Sequence, residues 1–165
     1  MKAVNAIEKK IFTLPHLLAQ LASWRVTDKT VAFTNGCFDI LHEGHIASLS
    51  QAAAEADYLV VGVNSDSSTK KLKGPDRPVN NEHSRALLLA SLAIVDAVVI
   101  FEEDTPLQLI KAVQPDVLVK GGDYTIEQIV GAKEVMARGG RVVINPIVEG
   151  FSTTGIIQQI KASFS

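Results

Sequence analysis

Short apolar runs alternate with amphipathic stretches along most of this chain. The apolar runs are nearly continuous, which is typical of strands buried on both faces of a parallel sheet. They predict five strands, at residues 30–35, 58–63, 96–101, 116–120 and 141–144. Apolar residues at helical spacing predict helices that begin at Leu14 and cover 44–56, 81–94, 106–113, part of 126–138 and 153–163. The stretch 64–80 is polar and is predicted to be a loop.

Strands that alternate with helices form βαβ units. The pattern therefore predicts an α/β fold, a Rossmann-like doubly wound five-stranded parallel sheet with helices on both faces. Ligands of such sheets bind outside the carboxyl ends of the strands. We expect an N-terminal extension and helix over residues 1–28 and one domain over residues 29–165, because no linker or repeat interrupts the pattern.

Composition excludes several classes of protein. A net charge of −2 over 165 residues gives no general attraction to nucleic acid or to anionic membranes, so we expect neither as a partner. No apolar stretch reaches the roughly 18–20 residues of a membrane span, and the N-terminus lacks a signal-peptide core. The single cysteine, Cys37, excludes an internal disulfide and is compatible with a reducing compartment. We expect a cytoplasmic protein.

Candidate chemistry begins after the first strand, where His42 and His45 flank Gly44 at a predicted helix start. A helix N-terminus attracts phosphate, and imidazole nitrogens can donate hydrogen bonds to phosphoryl oxygens. Any single histidine could instead be an ordinary surface residue. A zinc protease motif places its histidines at i and i+4, whereas these lie at i and i+3. The chain also lacks the glycine motifs of dinucleotide oxidoreductases and P-loop ATPases.

Three further segments follow predicted strands. Four cations lie within residues 69–77, which form either a solvated loop or a loop that closes over a polyphosphate. Residues 120–124 contain two glycines, which permit close approach to a ligand or simply a turn. Three hydroxyls at 152–154 begin the last helix and could cradle a phosphate, although serine and threonine also cap helices of any function.

A family resemblance rests on these motifs. His42-Glu43-Gly44-His45 resembles the His-x-Gly-His signature of small nucleotidyltransferases, a family that contains cytidylyltransferases and adenylyltransferases. The longer strings 33–42 and 119–124 are similar to the heptose 1-phosphate adenylyltransferases. Segment 149–154 is similar to the family's Gly-Ile-Ser-Thr-Thr motif, with Phe151 in place of isoleucine. The resemblance covers about residues 29–161, so residues 29–165 are expected to form a nucleotidyltransferase domain.

The resemblance implies transfer of AMP from ATP to D-glycero-β-D-manno-heptose 1-phosphate, giving ADP-heptose and pyrophosphate for lipopolysaccharide core synthesis. Cytidylyl transfer to glycerol 3-phosphate or another alcohol phosphate is the alternative. Ile147-Val148 stand where cytidylyltransferases carry Arg-Thr, which favours ATP over CTP. A non-catalytic nucleotide-binding domain is an alternative from another class. We also expect a stand-alone form that needs a separate heptose kinase and phosphatase, and a homodimer.

The resemblance also implies roles for individual residues. Catalytic roles fall to His42, His45, Lys73 and Arg85. Nucleotide binding is expected of these four and of Thr34, Asn35, Gly36, Phe38, Lys120, Gly121, Gly122, Asp123, Ser152, Thr153 and Thr154. Sugar phosphate binding is expected of Asp39, Asp66 and Lys71, and for Asp39 ordering of the loop is favoured over binding of the metal. Mg²⁺ is expected to accompany ATP, with no metal ligand assigned to the protein.

Overall fold

A central parallel sheet organises the molecule, as seen in a computed structural model that describes residues 5–146 and 150–164. The sheet order within the described residues is β1-β4-β3-β2-β5-β6, and every neighbouring pair is parallel. The strands are β1 (Ile11–Phe12), β2 (Val31–Gly36), β3 (Tyr58–Asn64), β4 (Ala97–Phe101), β5 (Val117–Gly121) and β6 (Arg141–Asn145).

Helices cover both faces of this sheet, as the sequence predicted. They are α1 (Leu14–Val26), α2 (Glu43–Ala53), α3 (Asp66–Lys73), α4 (Glu82–Ala90), α5 (Leu107–Val113), α6 (Ala132–Ala137) and α7 (Thr153–Ser163). Two short 3₁₀ helices, Glu8–Lys10 and Ile126–Gln128, lie in the connections. The predicted helix over 81–94 ends early at Ala90, and the region 126–138 is divided between a 3₁₀ turn and α6.

The sheet has six strands rather than the expected five. The additional strand is β1, whose two residues pair with Val98 and Val99 of β4 at the edge of the sheet. Two residues are too few to show a periodicity, so the sequence pattern could not reveal this strand. The helix that follows it buries Leu17 and Leu21 completely in the core. The domain boundary expected after residue 28 stays a prediction.

Helix α3 occupies part of the stretch that was predicted to be a loop. Leu72 is its one large apolar residue, and it is 54% exposed, so the helix has no apolar stripe for a sequence pattern to detect. Its start is fixed by Ser65, whose hydroxyl accepts a hydrogen bond from the Ser68 amide. Ser68 and Thr69 are buried instead of apolar residues. A serine cap and buried hydroxyls thus replace the usual amphipathic pattern.

Two apolar cores lie on opposite faces of the sheet. Helices α1, α5 and α6 cover one face, where Phe33 of β2 packs with the buried residues of those helices. Helices α2 and α4 cover the other face with Leu49, Ala52, Ala86 and Leu89. This two-sided covering explains why the strands of the sheet interior read as continuous apolar runs.

Aspartates from neighbouring connections accept hydrogen bonds from backbone amides at the amino ends of the strands. Asp57 accepts hydrogen bonds from the amide and hydroxyl of Thr30, and its other oxygen lies 3.0 Å from Lys29 Nζ. Asp116 accepts from the Val31 amide, and Asp96 accepts from the Leu59 amide, both at 2.8 Å. These carboxylates satisfy amides that begin a strand, so they stabilise the end of the sheet opposite the polar motifs.

One aromatic pair also lies at this end of the sheet. Trp24 near the end of α1 stacks on Tyr58, the first residue of β3, with ring centroids 4.1 Å apart. The contact joins the last turn of α1 to the start of the sheet.

The direction in which successive strands are added to the sheet reverses between β2 and β5. From β2 the chain proceeds through β3 to β4 on one side, and it then returns to form β5 and β6 on the other side. In parallel sheets the crevice outside the carboxyl ends at such a switch point is the usual ligand site. Gly36 ends β2 and Gly121 ends β5, so their connections frame this crevice.

Candidate active site

A cavity of about 610 Å³ lies at this switch point. It is formed by the carboxyl ends of β2, β3 and β5, the starts of α2 and α7, the end of α3 and the connection after β4. Its lining is Asn35, Gly36, Cys37, Phe38, Asp39, His42, His45, Asn64, Leu72, Lys73, Arg77, Asp104, Thr105, Pro106, Lys120, Tyr124, Val130, Phe151, Ser152, Thr153 and Thr154. Many of the residues expected in the site therefore share one cavity.

The two histidines form a stacked pair at the start of α2. His42 is the residue that caps the helix, and the His45 amide donates to the His42 carbonyl at 2.9 Å. Their ring centroids are 3.8 Å apart with an interplanar angle of 23°. Phe38 packs its ring edgewise against His45 at 5.4 Å. Within the described residues, the Nδ1 atom of each histidine is buried and has no hydrogen-bond partner.

Burial makes both histidines less basic. It lowers the pKa of His42, and it lowers the pKa of His45 to about 4 with a further contribution from the charge of His42. Both rings are therefore neutral near pH 7. A neutral imidazole carries one N–H donor, and its second nitrogen is an acceptor, so each ring can donate one hydrogen bond to an incoming group.

Gly44 allows this packing of the histidine pair. A Cβ atom at Gly44 would lie 3.1 Å from His42 Nδ1 and 3.1 Å from Phe151 Cβ. Such contacts are tighter than normal van der Waals separations, so a larger residue would displace His42 or Phe151. The glycine of the His-x-Gly-His motif thus permits the protein's own side chains to close around the start of α2.

Two lysines supply positive charge to the cavity. Lys73 is the last residue of α3, and Lys120 belongs to β5. Burial lowers the pKa of Lys120, and the charge of Lys73 acts in the same direction. The Lys120 ammonium also lies 5.7 Å from the centroid of the Tyr124 ring, within range of a cation–π contact. An anion placed near these lysines would relieve their mutual repulsion.

The hydroxyl cluster before α7 meets the same cavity. Ser152 caps α7 by accepting a hydrogen bond from the Gly155 amide at 2.9 Å. Thr153 donates to the Ile40 carbonyl at 3.3 Å and thereby connects α7 to the segment before His42. Thr154 lines the cavity as well. The preceding Ile147, Val148 and Glu149, on which the expectation about nucleotide choice depends, lie outside the described residues.

Several expected site residues do not line the cavity. They are Thr34, Arg85, Gly121, Gly122, Asp123, Asp66 and Lys71. Lys71 forms an exposed ion pair with Asp104 at 2.8 Å. Asp66 pairs with Arg85, also at 2.8 Å. The site roles expected for these residues stay predictions.

Arg85 is fully buried and binds protein oxygens with all three guanidinium nitrogens. Nε donates to the Asn80 carbonyl, one terminal nitrogen donates to the carbonyls of Cys37 and Asn64, and the other donates to the Asp66 carboxylate. These bonds join the ends of β2 and β3 to the connection before α4. The geometry therefore favours a positioning role over direct contact with phosphate.

Asp39 has an equally occupied carboxylate. It is 1% exposed and accepts hydrogen bonds from the Val79 and Asn80 amides and from Arg77 Nε. Its backbone carbonyl accepts from the Asn80 side chain. This geometry favours the ordering role, in which Asp39 fixes the connection between α3 and α4, over metal binding.

The structure adds lining residues that sequence reasoning did not assign to the site. Arg77 belongs to the recognised cation cluster, but no motif distinguished it from its neighbours. Asp104, Thr105 and Pro106 follow β4, and their position after a strand was the available signal. Tyr124 was noted only as the last residue of the string 119–124. The packing of distant segments brings these residues to the cavity, and sequence motifs do not show that packing.

Two features are absent from the described residues. Within 5–146 and 150–164, no group of three or more histidine, cysteine, aspartate or glutamate side chains could hold a metal ion. No helix in the same residues is long and apolar enough to cross a membrane.

Known proteins share much of this sequence. The chain is 58% identical over 142 residues to the bifunctional protein HldE of Mesorhizobium japonicum. The aligned region covers 86% of this chain and 29% of that protein. It is 54% identical over 158 residues to the bifunctional protein HldE of Koribacter versatilis. This aligned region covers 96% of this chain and 32% of that protein. The chain thus spans about a third of the length of the curated relatives it matches.

Solved structures share the fold. A lipopolysaccharide core biosynthesis protein from Thermoplasma volcanium superposes with a TM-score of 0.59 at 29% identity, over 73% of this chain and 97% of that one. A pantoate–β-alanine ligase from Francisella tularensis also gives a TM-score of 0.59, at 15% identity over 82% of this chain and 66% of that one. The second likeness concerns the fold alone.

A family profile described as cytidylyltransferase-like matches residues 33–159. The matched span begins in β2, includes the histidine pair and the cavity, and reaches into α7. The match covers most of the chain, and the relatives agree with it. The chain belongs to the cytidylyltransferase-like family.

Proposed function

We propose that this chain transfers AMP from ATP to D-glycero-β-D-manno-heptose 1-phosphate, giving ADP-heptose and pyrophosphate. One observation carries the proposal: the stacked histidines, two lysines and the start of α7 converge on one cavity at the switch point. The sugar assignment is supported by the sequence resemblance and by the relatives, one of which is a lipopolysaccharide core biosynthesis protein.

The reaction needs positioning and charge neutralisation more than a base. An oxygen of the sugar phosphate, already anionic at neutral pH, forms a bond to the α-phosphorus of ATP. The bond from that phosphorus to the oxygen bridging the β-phosphate breaks, and pyrophosphate leaves with the electron pair. Both reactants are polyanions, so hydrogen-bond donors and cations that hold them in line lower the barrier.

The histidine pair would act as the donors nearest the reacting phosphate. Because both histidines are neutral at rest, the positive charge of the cavity lining comes from Lys73, Lys120 and Arg77. A bound phosphate raises the pKa of a neighbouring imidazole, because an opposite charge favours the charged form. Hydrogen bonds to His⁺ are shorter and stronger than neutral ones. The pair would thus strengthen as donors when the substrate arrives.

Lys73 and Lys120 would hold the triphosphate, and Thr153 and Thr154 with the N-terminus of α7 would hold its far end. The first four amides of a helix lack partners within the helix and favour anions. The pyrophosphate that forms would remain neutralised by the same groups until it departs.

Mg²⁺ is proposed to enter with ATP. No three-ligand cluster lies within the described residues, and Asp104 is an exposed carboxylate in the cavity lining. This donor set fits an ion held mainly by phosphate oxygens and water, which is the usual binding mode of Mg²⁺ with nucleotides. When bound, the ion would neutralise charge on the phosphates, and Asp104 is the protein group that could contact its shell.

The test is a substrate panel with pyrophosphate release as the readout. ATP, CTP, GTP and UTP are each combined with heptose 1-phosphate, glucose 1-phosphate and glycerol 3-phosphate. We expect ATP with heptose 1-phosphate to exceed CTP by about 10²-fold or more, the scale reached when buried polar groups are left wrongly paired. A CDP product as the main species would contradict the substrate assignment. Nucleotide binding without pyrophosphate release in any combination would support a non-catalytic domain.

Two further properties belong to the same proposal. We infer a homodimer in the cytoplasm. The supply of ATP and sugar phosphates and the single cysteine support the compartment. Light scattering coupled to size exclusion would measure the oligomeric state, and a monomeric mass would contradict the dimer.

A further inference from the structure

We propose that Arg77 is a phosphate-binding residue of the cavity, held in place by Asp39. The inference rests on the proposed function and adds a residue to it. It also reassigns the arginine contact expected of Arg85, whose guanidinium is committed to protein oxygens.

Arg77 is held by one edge of its guanidinium. Its Nε donates to Asp39 Oδ2 at 2.6 Å. The aspartate cannot shift easily, because the amides of Val79 and Asn80 also donate to it and it is almost fully buried. The Arg77 side chain is 13% exposed, so solvent screening of its charge is limited. Asp39 therefore fixes the orientation of a largely buried cation.

The two terminal nitrogens of Arg77 remain available. Within residues 5–146 and 150–164 they have no protein acceptor, whereas the terminal nitrogens of Arg85 donate to three oxygens. Arg77 lines the cavity together with Lys73 and the histidine pair. A guanidinium with free donors matches two phosphate oxygens in a fork, and its preorientation reduces the entropy lost on binding.

The ligand is a phosphate group, which could come from either substrate. Arg77 follows Lys73 by four residues in the connection after α3, so both cations reach the cavity from the same side. A contact to ATP would strengthen nucleotide binding without the acceptor. A contact to the sugar phosphate would appear only in the KM of the acceptor.

The experiment compares Arg77→Gln and Arg77→Lys with the wild-type chain. Calorimetry measures the affinities for MgATP and for inorganic pyrophosphate, steady-state kinetics gives kcat and KM for both substrates, and thermal unfolding gives Tm. Arg141→Gln is the matched control, because Arg141 is an exposed arginine paired with Glu55 and does not line the cavity. Arg85→Lys is added as the structural comparison.

We expect Arg77→Gln to weaken MgATP binding or to raise the acceptor KM by about tenfold or more, the scale of a lost charged hydrogen bond. Arg77→Lys should fall between this variant and the wild type, since it retains the charge but loses the fork. Arg141→Gln should behave as wild type. Arg85→Lys should lower Tm more than Arg77→Lys does.

Wild-type affinities and KM values in folded Arg77→Gln would overturn the inference. If Arg77→Gln fails to fold, wild-type affinities and KM values in Arg77→Lys would overturn the inference instead. Failure of the proposed function is distinguishable, because the wild type would then bind MgATP and release no pyrophosphate. The binding measurements would still test Arg77 in that case.

Discussion

His42 and His45 stack their imidazole rings 3.8 Å apart at the entrance of α2. The two rings are partly buried and in contact, so a proton on one makes a proton on the other less favourable. Neither Nδ1 atom is satisfied by the described residues. The pair is therefore held ready for a partner that brings negative charge.

His45→Ala should lower kcat by about a hundredfold or more, the scale seen when one transition-state donor is lost. The fold should persist, because His45 is only partly buried and lies in the first turn of α2 beside the cavity. Pyrophosphate release measures the effect, and circular dichroism checks the fold. His83→Ala is the control, since His83 is an exposed histidine on α4 away from the cavity. Near-normal turnover of His45→Ala would remove the catalytic assignment.

The pKa of His45 should be visible by NMR. Its folded value of about 4 lies below the ordinary 6.5, so the folded state binds fewer protons than the unfolded state between these values. This group therefore costs stability as pH falls from about 6.5 toward 4. Pyrophosphate should raise the His45 pKa and reduce that loss. Titration of the imidazole signals, assigned through His45→Gln, measures the shift, and an unchanged pKa with bound pyrophosphate would contradict phosphate contact.

Lys73→Ala should lower kcat/KM for ATP by about tenfold or more, because it removes a charged donor from the cavity. Tm should change little, since Lys73 is exposed at the end of α3. Lys133→Ala on α6 provides an exposed lysine outside the cavity as the control. Lys71→Ala separates the two lysines, because Lys71 does not itself line the cavity, although its ion-pair partner Asp104 does. A change in Tm alone would indicate a structural role for Lys73.

Asp57→Asn should lower Tm at neutral pH. Hydrogen bonds from the Thr30 amide and Lys29 lower the pKa of Asp57 to about 2, below its ordinary value of 3.8. The carboxylate thus stabilises the fold above about pH 4, and this contribution disappears as pH falls toward 2. The Tm difference from wild type should therefore shrink over that interval. Asp76→Asn, at an exposed aspartate, should show no such difference.

Periodicity was a sound guide to the sheet interior, but it could not find two elements. The strands β2 to β5 read as apolar runs because both of their faces are covered. Strand β1 is too short to carry a period, and α3 buries hydroxyls rather than an apolar stripe. Both elements are defined by contacts with the rest of the fold.

The sequence could likewise locate some residues of the site but not others. The motif placed His42 and His45 together because residues three positions apart lie within one helix turn. The sequence positions of Arg77 and Arg85 could not show which guanidinium would use its donors on protein oxygens and which would keep donors for a ligand. That distinction depends on carbonyls at the ends of β2 and β3, which come from distant parts of the chain.

The stack of Trp24 on Tyr58 gives this protein an intrinsic fluorescent probe of the contact between α1 and the start of β3. Trp24 is the only tryptophan of the chain, and its partner begins β3, about 20 Å along that strand from the cavity end. Its emission should follow separation of α1 from the sheet and remain insensitive to nucleotide. Fluorescence excited at the red edge of the tryptophan band, where adenine does not absorb, can thus report the folded fraction during a nucleotide titration.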